Sequence, residues 1–492
     1  MEVKKELGAS TTNSYLKEYT DREGKIHLLY FVNKNVLLSK NMLKEMVKYN
    51  YVEFCDKFNR PVDNLPSNIQ YIKFGSNFYE SVDNLPTNLK ELHFGNYFNN
   101  TIDKLPKGLK VISFGKYFNK TLNDKLPEGL ESIIFADNFN KQIDYLPEGL
   151  ISLTFGSDFD QPLCDNLPYG LQNLTLGISF NQSVDNLPSG LKSIDFAGKY
   201  MAGYFNQSVD NLPDFNPKTG QSGLQNLIFG NSFNQRVDKL PKKLKKLKFG
   251  RAFNQPVDNL PSELISLKFG EKFNQPVDNL PTFNPEKGYK GLQELKFGLC
   301  FNQPVDNLPY SIQYLTFGDL FNQPVDNLPI GLKELVFGSN FDCTVDNLPT
   351  FNPENSENGL KKIVFGDSFN QPIDNLPEGL EDLTLGYHFN QPVNNLPAFN
   401  PEKGIKGLQN LTFDNWFNQP IDKLPVFNPS QGKNGLKNLK FGYHFNQPLD
   451  NLPSFNPEKG KNRLETITLS DTYNKPLNNV PASVKIIRIK YY

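Results

Sequence analysis

The chain is poor in the residues that mark disulfide-bonded, metal-binding and catalytic proteins. Its 492 residues include four cysteines, four histidines and one tryptophan. The cysteines lie far apart and form no C-x-x-C pair, which is typical of a reducing compartment. No G-x-x-x-x-G-K-[ST], H-E-x-x-H or G-x-S-x-G motif occurs. We therefore predict no catalytic residues, no metal site and no cofactor.

The chain also lacks an excess of charge and a long apolar run. Its formal net charge is −1, so no global field attracts nucleic acid or an anionic membrane. No apolar stretch approaches the ~18 residues of a membrane span. The N-terminus, MEVKKELGASTTNSY, has no apolar signal-peptide core. We expect a cytoplasmic protein that does not bind membranes.

What the chain does have is a phrase of about twenty residues repeated from end to end. Residues 260–279 read LPSELISLKFGEKFNQPVDN, and Leu280 begins the phrase again. The Leu-Pro pairs recur from Leu65 to Leu452 in steps of 20 or 21 residues, with one step of 25 and others of 28, and Val480 takes the place of the leucine in the last copy. A fixed period of this length predicts a solenoid in which each coil packs against its neighbours.

Each copy of the phrase predicts a short strand and no helix. Polar and apolar residues alternate around Leu267, which is the strand period. Gly270 follows, where the chain turns by positive φ or by close backbone approach. Pro276 and Pro281 exclude a helix between strands. We predict a mainly β, elongated solenoid of about 20 short coils with parallel strands on one face. The apolar, inward-facing positions of this coil are Leu260, Leu264, Leu267, Phe269, Phe273 and Val277.

Two polar or aromatic rows accompany the apolar ones. A Phe recurs in every coil from Phe58 to Phe445, with Tyr473 last. We interpret it as a buried aromatic ladder, the alternative being a stripe of rings that stacks a ligand. Asn follows this Phe in most coils, with Asp160 and Asp342 as substitutes. A buried Asn at one level of every coil predicts hydrogen bonds to the backbone of the adjacent coil.

A row of aspartates precedes the Leu-Pro pairs, as at Asp63, Asp258 and Asp278. At the ~4.8 Å spacing of strands such charges repel unless each is solvated or hydrogen-bonded. Our interpretation is that each Asp caps its own turn. The alternative is a ladder of divalent cations, although Asn394 and Asn478 replace the acid in two coils.

Two regions depart from the repeat. Six inserts that each lengthen their coil by eight residues, typified by the segment 282–291 (TFNPEKGYKG), occur only from residue 212 onward and predict a ridge on one face. Residues 1–48 differ in composition, and we predict a small α/β cap with a disordered start, followed by the solenoid over 49–492. Within the cap, Ile26–Val32 and Val36–Leu38 suggest a hairpin, and Ser39 caps a helix through Lys48 with Met42, Leu43, Met46 and Val47 on one face.

The phrases FNQP, VDNLP and LKFG resemble the FNIP repeat, a relative of the leucine-rich repeat abundant in social amoebae and in giant viruses of amoebae. The resemblance covers roughly residues 49–490. It implies a leucine-rich-repeat-like solenoid and a protein-interaction role. Members of the family often carry an N-terminal F-box that recruits a ubiquitin ligase, whereas residues 1–48 contain no Leu-Pro opening.

The variable positions that flank the apolar centre of each strand predict a binding surface. Tyr314, Val336 and Val364 form the candidate apolar patch. The candidate partner-binding residues are Lys246, Lys248, Lys268, Lys296, Tyr314, Val336 and Val364. The densest basic cluster, residues 239–251, fits an acidic partner or nucleic acid, or else is a solvated face. His388 and His444 share the context GYHFN and are expected on the surface rather than as ligands.

These features favour a non-enzymatic scaffold that binds a partner protein of unknown identity through its strand face and its insert ridge. One alternative is a substrate adaptor that recruits ubiquitin-ligase components through residues 1–48. Another is a nucleic-acid-binding protein that uses the 239–251 cluster; since the net charge is −1, we regard nucleic acid as the weaker partner.

Overall fold

The computed structural model describes most of the chain, in two compact units. The backbone alone is described over 16–20 and 26–31, and the full residues over 35–490, except 123–125, 164–166, 199–200, 215–222, 283, 285, 287, 289, 350–358, 398–406, 425–435, 450–463, 479 and 481. Unit 1 comprises residues 1–235 and 239–244, and unit 2 comprises 236–238 and 245–492. The predicted insert ridge falls largely outside the described residues.

Unit 1 contains one described helix and eleven strands. In chain order these are β1 Leu16–Thr20, β2 Ile26–Phe31, α1 Lys40–Met46, β3 Tyr51–Glu53, β4 Tyr71–Lys73, β5 Glu91–His93, β6 Val111–Ser113, β7 Ser132–Ile134, β8 Ser152–Thr154, β9 Asn173–Thr175, β10 Ser193–Asp195 and β11 Asn226–Ile228.

Unit 2 contains eleven strands among its described residues. They are β12 Lys246–Lys248, β13 Ser266–Lys268, β14 Glu294–Lys296, β15 Tyr314–Thr316, β16 Glu334–Val336, β17 Lys362–Val364, β18 Asp382–Leu385, β19 Asn410–Phe413, β20 Asn438–Lys440, β21 Thr466–Ser470 and β22 Lys485–Ile489.

Within each unit, consecutive coils pair their strands in parallel and in register. In unit 2, for example, Leu267 of β13 lies opposite Leu295 of β14, which lies opposite Leu315 of β15. The same one-to-one pairing joins β3 to β4 and β4 to β5 in unit 1. The prediction of a mainly β repeat solenoid with parallel strands on one face is therefore confirmed.

The N-terminal segment differs from the prediction. β1 and β2 form an antiparallel hairpin, and β2 pairs in parallel with β3, so the first 24 residues include a strand. The predicted hairpin between 26–32 and 36–38 is wrong. The predicted helix is confirmed, with Ser39 Oγ accepting from the Met42 N–H at 3.3 Å, but it ends at Met46 and leaves Val47 exposed.

The six predicted inward positions of the coil are all buried. Each of these six side chains, from that of Leu260 to that of Val277, is at most 9% exposed. The Phe after the strand and the Phe before Asn stack on each other within a coil, as Phe269 and Phe273 do at 3.7 Å between ring centroids. The second Phe also stacks on its equivalent in the next coil, at 6.1 Å for Phe273 and Phe301. The aromatic ladder is thus part of the core and presents no ring face to a ligand.

The Asn that follows the ladder Phe joins neighbouring coils, as predicted. Asn274 Oδ1 accepts from the backbone N–H of Asn302 at 2.9 Å and from Gln303 Nε2 at 3.1 Å. Asp342 makes the same two contacts with Asn370 and Gln371. These side chains are half-buried or exposed rather than buried, because they edge the turn. The second contact explains why Gln follows Asn in the phrase FNQP.

The Asp row is bridged by side chains of the following coil. Asp258 Oδ1 accepts from Asn279 Nδ2 at 2.9 Å, and Asp278 Oδ1 accepts from Asn307 Nδ2 at 3.1 Å. An amide donor between successive carboxylates offsets their repulsion. The interpretation that each Asp caps its own turn missed this inter-coil partner. In the described part of the chain no group of three or more acidic, His or Cys side chains could hold a metal ion.

In most coils a Gly follows the strand, at a point where two backbones approach closely. A Cβ on Gly115 would lie 1.9 Å from the carbonyl oxygen of Gly95, and one on Gly298 would lie 1.9 Å from that of Gly270. The φ angles at these corner glycines are not in the left-handed region. Of the two reasons considered for this Gly, the close approach is the one that applies.

Candidate interaction surfaces

The outer face of the unit 2 sheet consists of two rows of side chains, since the middle residue of each strand points into the core. The strand register places Lys246, Ser266, Glu294, Tyr314, Glu334 and Lys362 in the first row. The same register places Lys248, Lys268, Lys296, Thr316, Val336 and Val364 in the second row. All seven candidate residues therefore lie on one face.

The candidate apolar patch is divided between the two rows. Val336 and Val364 are paired directly on β16 and β17, and both are half-buried. Tyr314 is 46% exposed and lies opposite Glu334, so that Val336 is its diagonal neighbour. Tyr314 is therefore an exposed ring beside, rather than within, the valine pair.

Ion pairs between neighbouring strands neutralise part of the charge around this patch. Lys268 Nζ lies 2.6 Å from Glu294 Oε1, and Lys362 Nζ lies 2.6 Å from Glu334 Oε1. Partial burial raises the pKa of Glu294, but hydrogen bonds from Lys268 and Ser266 outweigh it and hold that pKa below its ordinary value. Lys246 and Lys296 are exposed on the same face.

The basic cluster at 239–251 is also partly neutralised. In unit 1, Lys239 Nζ lies 3.2 Å from Asp210 Oδ2. In unit 2, Arg251 Nε lies 2.6 Å from Glu271 Oε2. A cation already paired to a carboxylate contributes less to phosphate binding, so these contacts favour the solvated-face interpretation of the cluster.

Unit 1 has an open cleft that the sequence did not indicate. It encloses about 530 Å³, and Glu53, Lys73, His93 and Ser113 of four successive strands line it. Lys73 Nζ lies 2.8 Å from Glu53 Oε1, and only 8% of Glu53 is exposed. The four residues are about twenty positions apart in the sequence, and the strand register brings them together.

His93 contacts a serine and a carboxylate in this cleft. Its Nδ1 lies 2.7 Å from Ser113 Oγ, and its Nε2 lies 3.6 Å from Glu91 Oε2. Nε2 is buried and has no hydrogen-bond partner at normal distance. Burial lowers the pKa of His93, and the charge of Lys73 lowers it further. The nearby Glu91 carboxylate raises this pKa, but the net pKa remains below its ordinary value. Nothing in the repeat pattern singled out His93.

A serine beside a neutral imidazole is also a feature of hydrolases, but acyl transfer needs donors for an oxyanion. The backbone N–H of Phe94, which follows His93, already donates to the Ser113 carbonyl, and that of Phe114, which follows Ser113, donates to the Ile134 carbonyl. The cleft therefore offers polar side chains for binding, without these two N–H groups for an oxyanion.

Within the described residues, no helix is long and apolar enough to cross a membrane.

The sequence matches a known family along most of its length. Ten overlapping or adjacent matches to the FNIP Repeat family lie within residues 58–199, 205–272, 301–340 and 343–388. No curated protein matches the chain.

One solved structure supports the same family. CroV588, a circular leucine-rich-repeat protein of a giant virus, is 34% identical, with a TM-score of 0.76 over 94% of this chain and 69% of that one. YopM from Yersinia enterocolitica is 16% identical, with 92% of this chain and 93% of that chain covered, and its TM-score of 0.42 is too low to support an argument. Leucine-rich-repeat relatives of this kind are typically non-enzymatic scaffolds. The chain belongs to the FNIP repeat family, with a leucine-rich-repeat fold.

Proposed function

We propose that the chain is a non-enzymatic scaffold that binds a partner protein on the strand face of unit 2. The exposed ring of Tyr314 beside the paired Val336 and Val364 is the observation that supports this most directly. Apolar anchors inside a charged rim are the usual arrangement of a binding hot spot. Lys246, Lys248, Lys268 and Lys296 form the rim on one side, and the insert ridge extends the surface.

Two further elements of the proposal concern the N-terminus and the compartment. Residues 1–48 act as a cap that covers the first coil, as the pairing of β2 with β3 supports. Cys300 and Cys343 are thiols rather than disulfides, which supports a cytoplasmic location. No contact among the described residues favours the ubiquitin-ligase adaptor, and the ion pairs of Lys239 and Arg251 count against nucleic acid.

The experiment compares partner capture by two triple variants. Tyr314→Ala, Val336→Ser and Val364→Ser together remove the patch. Tyr310→Ala, Leu320→Ser and Ile330→Ser remove three exposed apolar residues of the same region outside the strands. A photo-crosslinking amino acid at position 314 identifies proteins that contact the face directly.

In cells of the natural host, we expect the crosslinker at position 314 to capture a set of proteins. The control triple variant should still bind these proteins, and the triple variant that removes the patch should not. Ligase subunits captured by the full chain and lost without residues 1–48 would instead favour the adaptor. Equal capture by both triple variants would show that the strand face is not the binding surface.

A further inference from the structure

Three consecutive described turns of unit 2 expose a cluster of aromatic rings. The aromatic turn cluster consists of Tyr387, His388, Trp416, Tyr443 and His444. Each ring lies between the corner after a strand and the buried ladder Phe. The Trp416 N–H donates to the Tyr387 carbonyl at 3.0 Å, and the His444 N–H donates to the Asn415 carbonyl at 2.9 Å. The backbone is thus in register, and the rings form one surface.

The rings contact one another around the tryptophan. The Trp416 ring centroid lies 6.1 Å from that of His388 and 5.0 Å from that of His444. Tyr443 meets His444 edge-on at 5.0 Å. Trp416 is nevertheless 48% exposed, and Tyr387 and Tyr443 are 37% and 39% exposed.

Coil stacking does not require these rings. The neighbouring ladder residues Phe389, Phe417 and Phe445 are fully buried and supply the core contacts. Ser368 and Thr472 occupy the position of Trp416 in the flanking coils, which stack in the same way. A contiguous exposed aromatic surface that the fold does not need is typical of a binding site.

The charges around the cluster indicate what it binds. Asp367 and Asp471 occupy the Tyr387 position in the two flanking coils, and Asp414 is the corner residue before Trp416. Lys440, on the strand face two residues before Gly442, is a nearby cation, and Arg488 donates to the Ser470 and Tyr473 carbonyls of the flanking coil. Carboxylates beside exposed ring faces favour a cationic ligand, because the ring faces are themselves electronegative.

In a turn of unit 1, a lysine of the chain itself lies over the aromatic ring at the equivalent position. There Lys116 Nζ lies 5.5 Å from the ring centroid of Tyr117. Lys116 directly follows the corner Gly115, and Tyr117 has the position of Trp416. In the cluster, the residues at the Lys116 position are Tyr387, Asn415 and Tyr443, none of which is a cation. The turn geometry therefore suits a cation over the ring, and in unit 2 the chain does not supply one from that position.

We propose that the aromatic turn cluster binds an arginine side chain of a partner protein, with the guanidinium over the indole of Trp416 and the aspartates supplying the opposite charge. A guanidinium is planar and weakly hydrated, so it stacks on aromatic faces better than an ammonium group does. This surface is separate from the strand face of the proposed function, and each can fail without the other.

The first test uses the intrinsic fluorescence of Trp416, which is the single tryptophan of the chain. The probes are a capped glycine-spaced peptide with two arginines and the matched peptide with citrulline, which is neutral and of the same shape. We expect a saturable change of Trp416 emission with the arginine peptide and a Kd about 5-fold weaker or more with the citrulline peptide. Equal affinity for both peptides, or no saturable change, would overturn the proposal.

The second test measures the same binding by calorimetry in two variants. We expect Trp416→Ala to weaken binding of the arginine peptide by about 5-fold or more and Tyr310→Ala, an exposed tyrosine outside the cluster, to leave it unchanged. Circular dichroism checks that both variants fold. Unchanged affinity in Trp416→Ala would exclude the cluster. Binding of a neutral oligosaccharide in place of the arginine peptide would identify a sugar platform and refute the proposal.

Discussion

Asn302 connects three coils through one side chain and one peptide group. Its N–H donates to Asn274 Oδ1, and its own Oδ1 accepts from the Asn322 N–H and from Gln323 Nε2. The Asn and Gln of the repeat phrase thus contact the neighbouring coil. A substitution at such a position removes the side-chain contacts with the following coil, while the backbone N–H still donates to the preceding coil.

Two substitutions of Asn302 test how much its side-chain acceptor contributes to stability. Asn302→Leu leaves two donors of the next coil without their acceptor, at a cost of about 1–3 kcal/mol. Asn302→Asp keeps the acceptor, as Asp342 does naturally, and is expected to cost much less. The shift of the urea midpoint for the two variants measures the difference. Equal shifts would show that the hydrogen bond does not contribute.

The corner Gly predicts a steric cost. Gly115→Ala brings a methyl group against the Gly95 carbonyl and is expected to destabilise the protein by about 1–3 kcal/mol. Gly170→Ala is the control, because its Cβ would lie 3.7 Å from the Glu148 carbonyl, which is ordinary contact. Other residues occupy the corner in some coils, among them Ala136, Asp414 and Ser470, so a local backbone shift admits a Cβ there. Thermal unfolding that ranks the two variants equally would contradict the close-approach argument.

The cleft predicts a pH dependence of stability. Burial depresses the pKa of His93 in the folded protein below the ordinary value of 6.5. The unfolded chain therefore binds the proton more readily, and stability falls as the pH decreases below about 6.5 towards the folded pKa. His93→Gln should remove this part of the pH dependence. An identical fall of the urea midpoint in both proteins between pH 7 and pH 5 would show that His93 does not contribute.

At the scale of the elements, three-residue strands are too short to be stable alone, and the two aromatic columns hold them together. Phe301 stacks on Phe297 of its own coil at 3.6 Å and on Phe273 and Phe321 of the adjacent coils. The column after the strand tolerates interruption, since Leu176, Leu385 and Leu469 replace the Phe in their coils and are fully buried.

Truncation of a ladder ring tests this packing. Phe301→Ala leaves a cavity among three rings and is expected to cost about 3–5 kcal/mol, while Phe301→Leu fills most of the space and costs less. Tyr310→Ala, on the surface of the following coil, should stay within about 0.5 kcal/mol. Urea midpoints give the ranking. A Phe301→Ala midpoint equal to that of the Tyr310 variant would mean that the ladder adds no stability.

At the scale of the whole molecule, the repeat could be predicted and its interruptions could not. The repeat period predicted the strands, the buried positions and the face on which the candidate residues lie. It could do so because a residue that recurs in every coil is one that coil stacking requires. The hairpin of β1 and β2 was mispredicted since it occurs once and no period sets its register. The His93–Ser113 contact and the Asp–Asn bridges join residues of different coils, which the spacing within one coil does not reveal.

Repetition also predicts that a whole coil can be removed. Deletion of residues 260–279 joins Asn259 to Leu280, so that Asn307, which now donates to Asp278, meets Asp258 instead. We expect the shortened chain to keep its circular dichroism per residue and to unfold cooperatively. Deletion of residues 260–269 disrupts the spacing of the buried positions and should lower the urea midpoint strongly. Equal behaviour of the two deletions would contradict the coil-by-coil account of stability.

The inter-coil hydrogen bonds also determine how the protein ages chemically. Asparagine deamidates spontaneously to aspartate, and this chain has an asparagine at two positions of nearly every coil. Beside the ladder Phe the product keeps its acceptor oxygen, as the natural Asp160 shows by accepting from the Asn181 N–H at 2.9 Å. Before Leu-Pro the product replaces the amide donor of residues such as Asn279, leaving two carboxylates face to face. Deamidation of the Asn after the ladder Phe therefore keeps the hydrogen bond between coils. Deamidation of the Asn before Leu-Pro removes a hydrogen bond and weakens the contact between coils.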